Sequence, residues 1–329
     1  MTIDPARLLI VIPCLDEEAH LPVLLDQLLR DNPESRIVVA DGGSRDRSRA
    51  IVTERAARHP GLTLMDNPAR IQSAGVNRAV AMHGGGCDWL LRVDAHCDYP
   101  GGYAQGLLAA AEAHEATSVV VPMMTVGKAC FQRAVAAAQN SVIGTGGSPH
   151  RHVGEGRFVD HGHHALMRID LYRAAGGYRE DMPHNEDAEL DLRLAAAGGR
   201  IWLEPGQAIT YYPRRDPASL WRQYRGYGRG RARTLALHGQ RPKIRQMVPL
   251  AVAGAAALAL LTPIWWPFAL PLIGWALLVL GVGLLVGARA GGGCALACGA
   301  PAMIMHLAWS IGFIQGSLKG RSREKSPDR

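Results

Sequence analysis

The stretch LLIVIPCLDEE, residues 8–18, decides the fold: an unbroken apolar run reaches Pro13 and then changes to acidic residues. Apolar runs without alternation are typical of strands that are buried on both faces of a sheet. Similar runs occupy residues 36–40, 62–65 and 89–93, and segments with helical periodicity lie at about residues 17–30, 46–58 and 71–82. Strands that alternate with helices of this length predict an α/β fold with a mostly parallel sheet covered by helices on both faces.

The loop after the second strand, Asp41-Gly42-Gly43-Ser44, is the first candidate for ligand binding, because parallel sheets bind ligands at the carboxyl ends of their strands. Two glycines let the backbone turn tightly and approach a ligand closely. Asp41 can accept hydrogen bonds from a base or a ribose, and Asp46 can cap the next helix. An ordinary strand-to-helix turn is the alternative interpretation. The chain has no GxGxxG motif, which disfavours a dinucleotide site.

The fourth strand ends in Asp94-Ala95-His96, and alternate residues at a strand end point in the same direction. Asp94 and His96 can therefore both face one ligand. An oxygen donor suits a hard divalent ion that holds a diphosphate, and a nitrogen donor suits manganese better than calcium. The pattern predicts a metal site at Asp94 and His96, and a satisfied side-chain pair without a metal is the alternative.

A third acidic cluster, residues 184–191, follows a turn at Met182-Pro183 and carries Glu186 and Asp187 near its start. Acidic residues at a helix start stabilise the helix macrodipole, which is one interpretation of the cluster. A carboxylate here can also act as a general base toward an acceptor hydroxyl. We predict that Asp187 is the base and that Glu186 is the second candidate catalytic carboxylate.

A group of histidines precedes these acids in a segment without clear periodicity. It comprises His150, His152, His161, His163 and His164. No pair has the i, i+4 spacing of a helical metal site, so structural or acceptor-binding roles are favoured over metal ligation. Asp160 can orient one of the histidines.

The C-terminal third of the chain is strongly apolar. Residues 247–288 contain no Asp, Glu, Lys, Arg or His, a length about twice the ~20 apolar residues that a spanning helix needs. We predict spans at residues 247–262 and 268–288. A third segment, residues 294–316, is interrupted by Pro301. Three full spans would place the basic C-terminal tail outside, against the positive-inside rule, whereas two spans plus a re-entrant or interfacial segment would satisfy it.

Residues 219–246 form a basic and aromatic segment in front of the apolar region. Aromatic residues among many arginines predict an interfacial segment on a charged membrane, but Gly226, Gly228 and Gly230 argue against a regular helix. Because basic residues flank the apolar region, the net charge of +7 favours membrane lipids over nucleic acid as a partner.

The six cysteines are scattered, and the N-terminus lacks the cleavage site of a signal peptide. We therefore expect the large domain to lie in the cytosol, where disulfides are disfavoured. Two CxxC pairs, the pattern of many zinc sites, are absent. The cysteines are interpreted as small apolar residues.

The chain resembles the family 2 inverting glycosyltransferases in the order and spacing of four motifs, IPCLDE at 12–17, DGGS at 41–44, DAH at 94–96 and NED at 185–187. Together with the segment WRQYRGYG at 221–228, the set is similar to the bacterial exopolysaccharide branch typified by the succinoglycan-biosynthesis glucosyltransferases. The resemblance covers almost the whole chain and implies a GT-A fold.

The resemblance also implies roles for individual residues. The nucleotide would contact Pro13, Asp16, Glu17, Asp41, Gly43, Ser44, Arg70 and Asp94. Asp94 would bind Mn²⁺ or Mg²⁺ with the diphosphate, and His96 replaces the usual second acid of the metal motif. Asp187 would be the base for in-line displacement with inversion. The acceptor or its diphosphate would contact His164, Gln223, Arg225 and Arg229.

Gln223 and Arg225 only approximate the Gln-x-x-Arg-Trp motif of processive synthases, which favours transfer of a single sugar. We expect a cytosolic catalytic domain at residues 1–218, an interfacial segment at 219–246, a transmembrane region at 247–318 and a basic tail at 319–329. The expected reaction transfers one hexose, with UDP-glucose as the favoured donor, to a polyprenyl-diphosphate-linked saccharide at a bacterial inner membrane. The alternatives are a polyisoprenyl-phosphate glycosyltransferase and a non-catalytic membrane protein that binds sugar nucleotides.

Overall fold

The computed structural model describes residues 4–148, 151, 153–163 and 166–324. The chain forms two compact units. The first comprises Met1–Met123, Val153–Met182 and Glu186–Tyr211, and the second comprises Met124–His152, Pro183–Asn185 and Tyr212–Arg329. The domain boundary at residue 218 that the sequence suggests stays a prediction.

Ten strands are numbered in chain order among the described residues. They are β1 Leu8–Cys14, β2 Arg36–Asp41, β3 Leu62–Asp66, β4 Trp89–Arg92, β5 Ser118–Val120, β6 Met123–Thr125, β7 Arg157–Phe158, β8 Leu166–Arg168, β9 Ile201–Leu203 and β10 Ile209–Tyr211. Eight of them form the sheet of the first unit, in the order β3-β2-β1-β4-β8-β5-β9-β7. The pairs β1–β2, β1–β4 and β2–β3 are parallel, whereas β8 runs antiparallel to β4 and β5. The predicted α/β fold with a mostly parallel sheet is confirmed.

The helices are numbered in the same way. They are α1 Leu21–Asp31, α2 Ser48–Ala56, α3 Gln72–His83, α4 Tyr103–Ala113, α5 Cys130–Gln139, α6 Val142–Thr145, α7 Ile169–Ala174, α8 Glu186–Ala196, α9 Pro217–Leu237, α10 Ile244–Ala259, α11 Leu270–Arg289 and α12 Gly299–Glu324. Short 3₁₀ turns lie at Pro5–Arg7, Pro205–Gln207, Trp266–Ala269 and Gly293–Cys298.

The position of β1 inside the sheet explains why its sequence is apolar without alternation. Leu8 and Ile10 pack in one hydrophobic cluster, and Leu9 and Val11 pack in the cluster on the opposite face of the sheet. All four side chains are at most 1% exposed. Since helices cover both faces, every position of the strand is buried.

Helix α1 begins at Leu21, four residues later than the start predicted near Glu17. The backbone N–H groups of Asp16 and Glu17 donate to the hydroxyls of Ser44 and Ser48, at 2.9 Å each. Residues 15–18 therefore belong to a loop that is bonded to the loop after β2, and this loop delays the helix.

The expectation that three glycines would prevent a regular helix was wrong, because α9 is continuous over 21 residues. A side chain at Gly228 would meet the backbone carbonyl of Trp309 on α12, and one at Gly226 would meet the ring of His184. The glycines let neighbouring backbone approach α9, and this packing offsets their low helix propensity.

The C-terminal region also departs from expectation at Pro301, which lies in the first turn of α12 and does not interrupt it. A first-turn proline is tolerated because its missing N–H has no partner there. Among the described residues, Trp266–Arg289 and Gly293–Leu318 are long and apolar enough to cross a membrane. The predicted span at residues 247–262 instead gives α10, whose 16 residues fall short of the ~20 required.

The interpretation of all six cysteines as small apolar residues was wrong for two of them. Cys130 at the start of α5 and Cys294 in the turn after α11 form a disulfide, although 164 residues separate them. Folding places α5 beside the turn at Gly293–Cys298, a proximity that sequence spacing does not disclose. The other four cysteines are buried as free thiols, in agreement with their interpretation as small apolar residues.

Candidate active site

Two loops at the carboxyl end of the sheet are joined by hydrogen bonds. The Asp16 carboxylate accepts from the backbone N–H of Arg45 at 2.7 Å, and Asp16 itself has a φ of 55°. The Glu18 N–H donates to the Asp46 carboxylate at 2.9 Å. These bonds hold the loop after β1 beside the loop after β2, as expected for a shared ligand site.

Asp41 is buried at the end of β2, and it organises its own loop. Its Oδ2 atom accepts the N–H groups of Gly43 at 3.0 Å and Ser44 at 3.2 Å. The same oxygen accepts from Arg49 Nη1 at 2.7 Å. Burial alone would raise the pKa of Asp41, but the hydrogen bonds from Ser44, Arg49 and the loop amides lower it. Asp41 is therefore an ionised anchor of the turn.

Arg70 and Gly43 border the open side of this loop. Both have positive φ angles, 59° and 89°. A Cβ at Gly43 would make only an ordinary contact, at 3.7 Å, with the Arg70 guanidinium, so the backbone angle rather than lack of space favours glycine here. Pro13 is buried inside β1, while Asp16 and Arg70 are exposed. Of the predicted nucleotide contacts, the exposed residues are the ones that can touch a ligand directly.

The predicted metal ligands lie together after β4. Donor atoms of Asp94, His96 and Cys97 are within 4.8 Å of one another. Burial raises the pKa of the Cys97 thiol far above its usual range, and a protonated thiol is a poor metal ligand. Asp94 and His96 are therefore the pair that fits a hard divalent ion.

Glu17, in the loop after β1, contacts one of these two predicted metal ligands. Its Oε1 atom lies 3.1 Å from His96 Nδ1. A carboxylate that faces Nδ1 orients the imidazole, which is the usual arrangement behind a histidine that ligates a metal through Nε2. Burial would raise the pKa of Glu17, but the interactions with His96 and His20 lower it. Glu17 is thus ionised and orients His96.

Arg92 is the central cation of the site, although it is the last residue of the otherwise apolar strand β4. Its buried guanidinium donates to Asp187 Oδ1 at 2.6 Å and to Asp94 Oδ1 at 3.3 Å. It also donates to Gln72 at 2.9 Å and lies 3.6 Å from Glu186. One arginine therefore compensates the charges of three carboxylates.

Asp187, the predicted base, receives three hydrogen-bond partners. Besides Arg92, the Tyr178 hydroxyl donates to Oδ1 at 2.9 Å, and His163 Nδ1 lies 2.9 Å from Oδ2. Burial acts to raise the pKa of Asp187, but Arg92, His163 and Tyr178 outweigh it and lower the pKa below its usual range. The carboxylate is ionised at neutral pH and its orientation is set by three groups.

Glu186 has the opposite electrostatic environment. Burial and the neighbouring negative charge of Asp187 raise its pKa, and the attraction of Arg92 only partly opposes them. Two adjacent carboxylates therefore differ in proton affinity, an arrangement that separates roles in acid–base chemistry.

The histidine-bearing loop is attached to α8 through Asp191, one helical turn after Asp187. The Gly162 N–H donates to Asp191 Oδ2 at 3.0 Å. The expectation that Asp160 orients a histidine is confirmed, because its carboxylate lies 3.0 Å from His161 Nδ1. His164, the histidine predicted to contact the acceptor, lies outside the described residues, as do His150 and His152.

Comparison with known proteins places this site in a family. Residues 9–175 match the Glycosyl transferase family 2 profile. A relative from Rhizobium meliloti (strain 1021), the succinoglycan biosynthesis protein ExoA, is 48% identical over 317 residues, which cover 96% of each chain. The chain belongs to glycosyl transferase family 2.

Solved structures agree with this family 2 assignment at the level of the fold. The mannosyltransferase PcManGT from Pyrobaculum calidifontis, in complex with GDP-Man and Mn²⁺, has a TM-score of 0.61 at 19% identity, covering 94% of this chain and 88% of that chain. GalNAc-T7 with UDP, GalNAc and Mn²⁺ has a TM-score of 0.50 at 12% identity, covering 69% of this chain and 47% of that chain. The expected GT-A fold is confirmed.

The remaining predicted residues of this family 2 chain belong to the second unit. Gln223 donates to the Tyr227 hydroxyl at 2.9 Å, within α9. Arg225 and Arg229 both donate to Gln315 on α12. Within the first unit, the described residues from the strand ends thus meet in one site, and the acceptor residues of α9 form a separate group.

Sequence reasoning missed Arg92, Tyr178 and Arg49 in this family 2 site. Arg92 offered one signal, a charge inside an apolar strand, because a buried charge requires partners. Tyr178 and Arg49 offered none, since their importance depends on Asp187 and Asp41 lying beside them in the folded chain.

Proposed function

We propose that this chain is an inverting hexosyltransferase that transfers one sugar from a nucleoside diphosphate sugar to a polyprenyl-diphosphate-linked saccharide in exopolysaccharide assembly. The observation that carries the proposal is the oriented, ionised carboxylate of Asp187 at the carboxyl end of the sheet. The name of the relative, a succinoglycan biosynthesis protein, supports the exopolysaccharide assignment. UDP-glucose is the first donor to test.

In this proposal the strand-end loops bind the donor. Asp16, Gly43, Ser44 and Arg70 contact the nucleotide, and the buried Asp41 holds the turn that carries Gly43 and Ser44. Asp94 and His96 would hold Mn²⁺ or Mg²⁺, which neutralises charge on the departing diphosphate when bound. The GDP-Man complex of PcManGT and the UDP complex of GalNAc-T7 contain Mn²⁺, which supports a divalent metal.

Asp187 accepts the proton of the acceptor hydroxyl as its oxygen attacks the anomeric carbon. The bond to the diphosphate oxygen breaks on the opposite side, so the configuration inverts. His163 and Tyr178 fix the direction of the carboxylate, and Arg92 keeps it ionised. Glu186, with its higher proton affinity, is the second carboxylate to test.

The second unit supplies the membrane attachment. The apolar helix α11 exposes Leu277, Leu278 and Leu285, each by more than half, as expected for a surface in contact with lipid. With the catalytic domain facing the cytoplasm of a bacterial inner membrane, a soluble donor and a lipid-linked acceptor reach one enzyme.

The test measures release of nucleoside diphosphate by the purified protein in detergent. A panel of sugar nucleotides is combined with Mn²⁺, Mg²⁺ or EDTA, and with a polyprenyl-diphosphate-linked saccharide, a polyprenyl phosphate or no lipid. Turnover that needs both the metal and the diphosphate-linked acceptor supports the proposal. Turnover with polyprenyl phosphate alone would select the polyisoprenyl-phosphate glycosyltransferase instead.

Replacement of the base separates an enzyme from a binding protein. Asp187→Asn should lower turnover by about 10²–10⁴-fold, the usual contribution of a general base, while donor binding is retained. Asp26→Asn, on an exposed carboxylate of α1, is the matched control and should leave turnover unchanged. Equal turnover of Asp187→Asn and wild type would exclude Asp187 as the base, and a large loss only in Glu186→Gln would transfer the role to Glu186.

A further inference from the structure

Gln315 on α12 is the shared acceptor of two arginines of α9. Its Oε1 atom accepts from Arg225 Nε at 2.9 Å, from Arg229 Nε at 3.1 Å and from Arg229 Nη2 at 2.7 Å. Arg225 and Arg229 are one helical turn apart, so they project on the same side of α9. A single neutral oxygen therefore brings two guanidinium groups together.

This arrangement fixes the direction of both guanidinium groups with an acceptor that carries no charge. In the part of the chain that the structure describes, neither Arg225 nor Arg229 forms an ion pair with a carboxylate. Burial lowers the pKa of the nearby His184, and the positive charges of Arg214 and Arg229 lower it further. The local potential is thus positive, and adjacent guanidiniums that repel each other attract an anion.

The backbone around Gln315 is adapted to this contact. A side chain at Gly312 would meet the backbone of Arg225, and one at Gly316 would meet the backbone of Arg229 and the Ala232 side chain. Glycines on both sides of Gln315 let α12 lie close to α9, so that the side-chain amide of Gln315 reaches both guanidinium groups. Arg229 is exposed and Arg225 is half-buried, so an anion has access to the pair.

We propose that Arg225, Arg229 and Gln315 form an anion clamp for the diphosphate of a lipid-linked acceptor, in which Gln315 is a positioning residue. The inference deepens the proposed function and rests on it for the identity of the acceptor. Two guanidinium groups match the several oxygens of a diphosphate through charge-assisted hydrogen bonds. Glutamine suits the position because a glutamate there would neutralise one of the two charges.

The test uses binding, which needs no turnover. Farnesyl diphosphate, farnesyl phosphate and farnesol are titrated into the full-length protein in detergent, with wild type, Gln315→Glu and Gln315→Leu. A charged hydrogen bond contributes about 1.5–3 kcal/mol. Gln315→Glu should therefore weaken the binding of farnesyl diphosphate roughly 10- to 100-fold. Farnesol binding should not change, since farnesol carries no phosphate.

Gln240→Glu is the control, because it adds the same charge at an exposed position of the same unit. Nucleotide-sugar binding by each variant reports whether the chain is folded. If Gln315→Glu and Gln315→Leu bind farnesyl diphosphate as wild type does, or if Gln240→Glu weakens it equally, the clamp is excluded.

Bilayer lipid is the other source of phosphate. Nanodiscs of phosphatidylglycerol or phosphatidylcholine therefore form a second arm of the experiment. If the Gln315 variants lose binding to phosphatidylglycerol nanodiscs but not to farnesyl diphosphate, the diphosphate assignment is overturned. If they lose binding to farnesyl diphosphate and the wild-type protein shows no glycosyl transfer, the clamp is kept and the proposed function is rejected. The two failures are therefore distinguishable.

Discussion

Arg92 and the pair Arg225 and Arg229 are arginines used in opposite ways. Arg92 is buried, with a side chain 6% exposed, and meets three carboxylates. Arg229 is exposed, Arg225 is half-buried, and both share the neutral amide of Gln315. The first environment satisfies the arginine within the protein, whereas the second leaves its charge available to a ligand.

The difference shows how the same side chain can serve structure or binding. A buried guanidinium is retained only where anionic partners offset its desolvation. A solvated guanidinium needs no such partner, so pairing it with a neutral acceptor fixes its direction without cancelling its charge. The stability effect of removing each arginine should therefore separate the two regions.

The largest effect is expected at Arg92. Arg92→Met should lower the free energy of unfolding by about 3–5 kcal/mol, because it leaves buried carboxylates without a counter-charge. The measurement is urea unfolding of the detergent-solubilised protein, followed by tryptophan fluorescence.

Arg168→Met is the matched control, since Arg168 lies on the neighbouring strand β8 and pairs with the exposed Asp170. A surface pair of this kind contributes roughly 0–1 kcal/mol. If Arg92→Met costs no more than Arg168→Met, the interpretation of Arg92 as the charge centre of the site is wrong.

The intermediate effect concerns Asp187 and Asp191, two buried carboxylates whose pKa values shift in opposite directions. Burial raises the pKa of Asp191 well above its usual range, the charges of Asp187 and Asp160 add to this, and the Gly162 N–H opposes it only in part. Since the pKa is higher in the folded state, ionisation of Asp191 favours unfolding. The contribution of Asp191 to the free energy of unfolding is fully present below its pKa in the unfolded chain. It is lost as the pH rises toward its pKa in the folded chain.

Asp191→Asn should remove that loss, because the amide oxygen can still accept from Gly162. The difference in unfolding free energy between Asp191→Asn and wild type should shift in favour of the variant by about 1.4 kcal/mol per pH unit in this window. The pKa shift of Asp187 has the opposite sign. Its pKa is lowered, so its contribution is present above the unfolded pKa of about 3.9 and is lost only in acid. Parallel pH profiles of wild type and Asp191→Asn would contradict this assignment.

These sites also show what sequence reasoning can reach. The apolar run of β1 and the acids at strand ends are local patterns, and they led to the sheet, to Asp94 and to Asp187. Arg92 and Asp187 are 95 residues apart, and Gln315 lies 86 and 90 residues from its arginines. Such contacts depend on packing between distant segments, as does the Cys130–Cys294 disulfide, so no spacing in one sequence discloses them.

The smallest effect is expected for the surface pair. The double variant Arg225→Gln, Arg229→Gln should change the free energy of unfolding by less than about 0.5 kcal/mol, as for most surface substitutions. Removal of two adjacent positive charges relieves their mutual repulsion, which offsets the hydrogen bonds to Gln315 that are lost.

The measurement is the same urea titration, repeated at low and at high salt. Repulsion between exposed charges is screened by salt, so any gain in stability of the double variant should shrink at high salt. If the double variant loses as much stability as Arg92→Met, the pair is a structural element of the α9–α12 packing, and the contrast between the two regions fails.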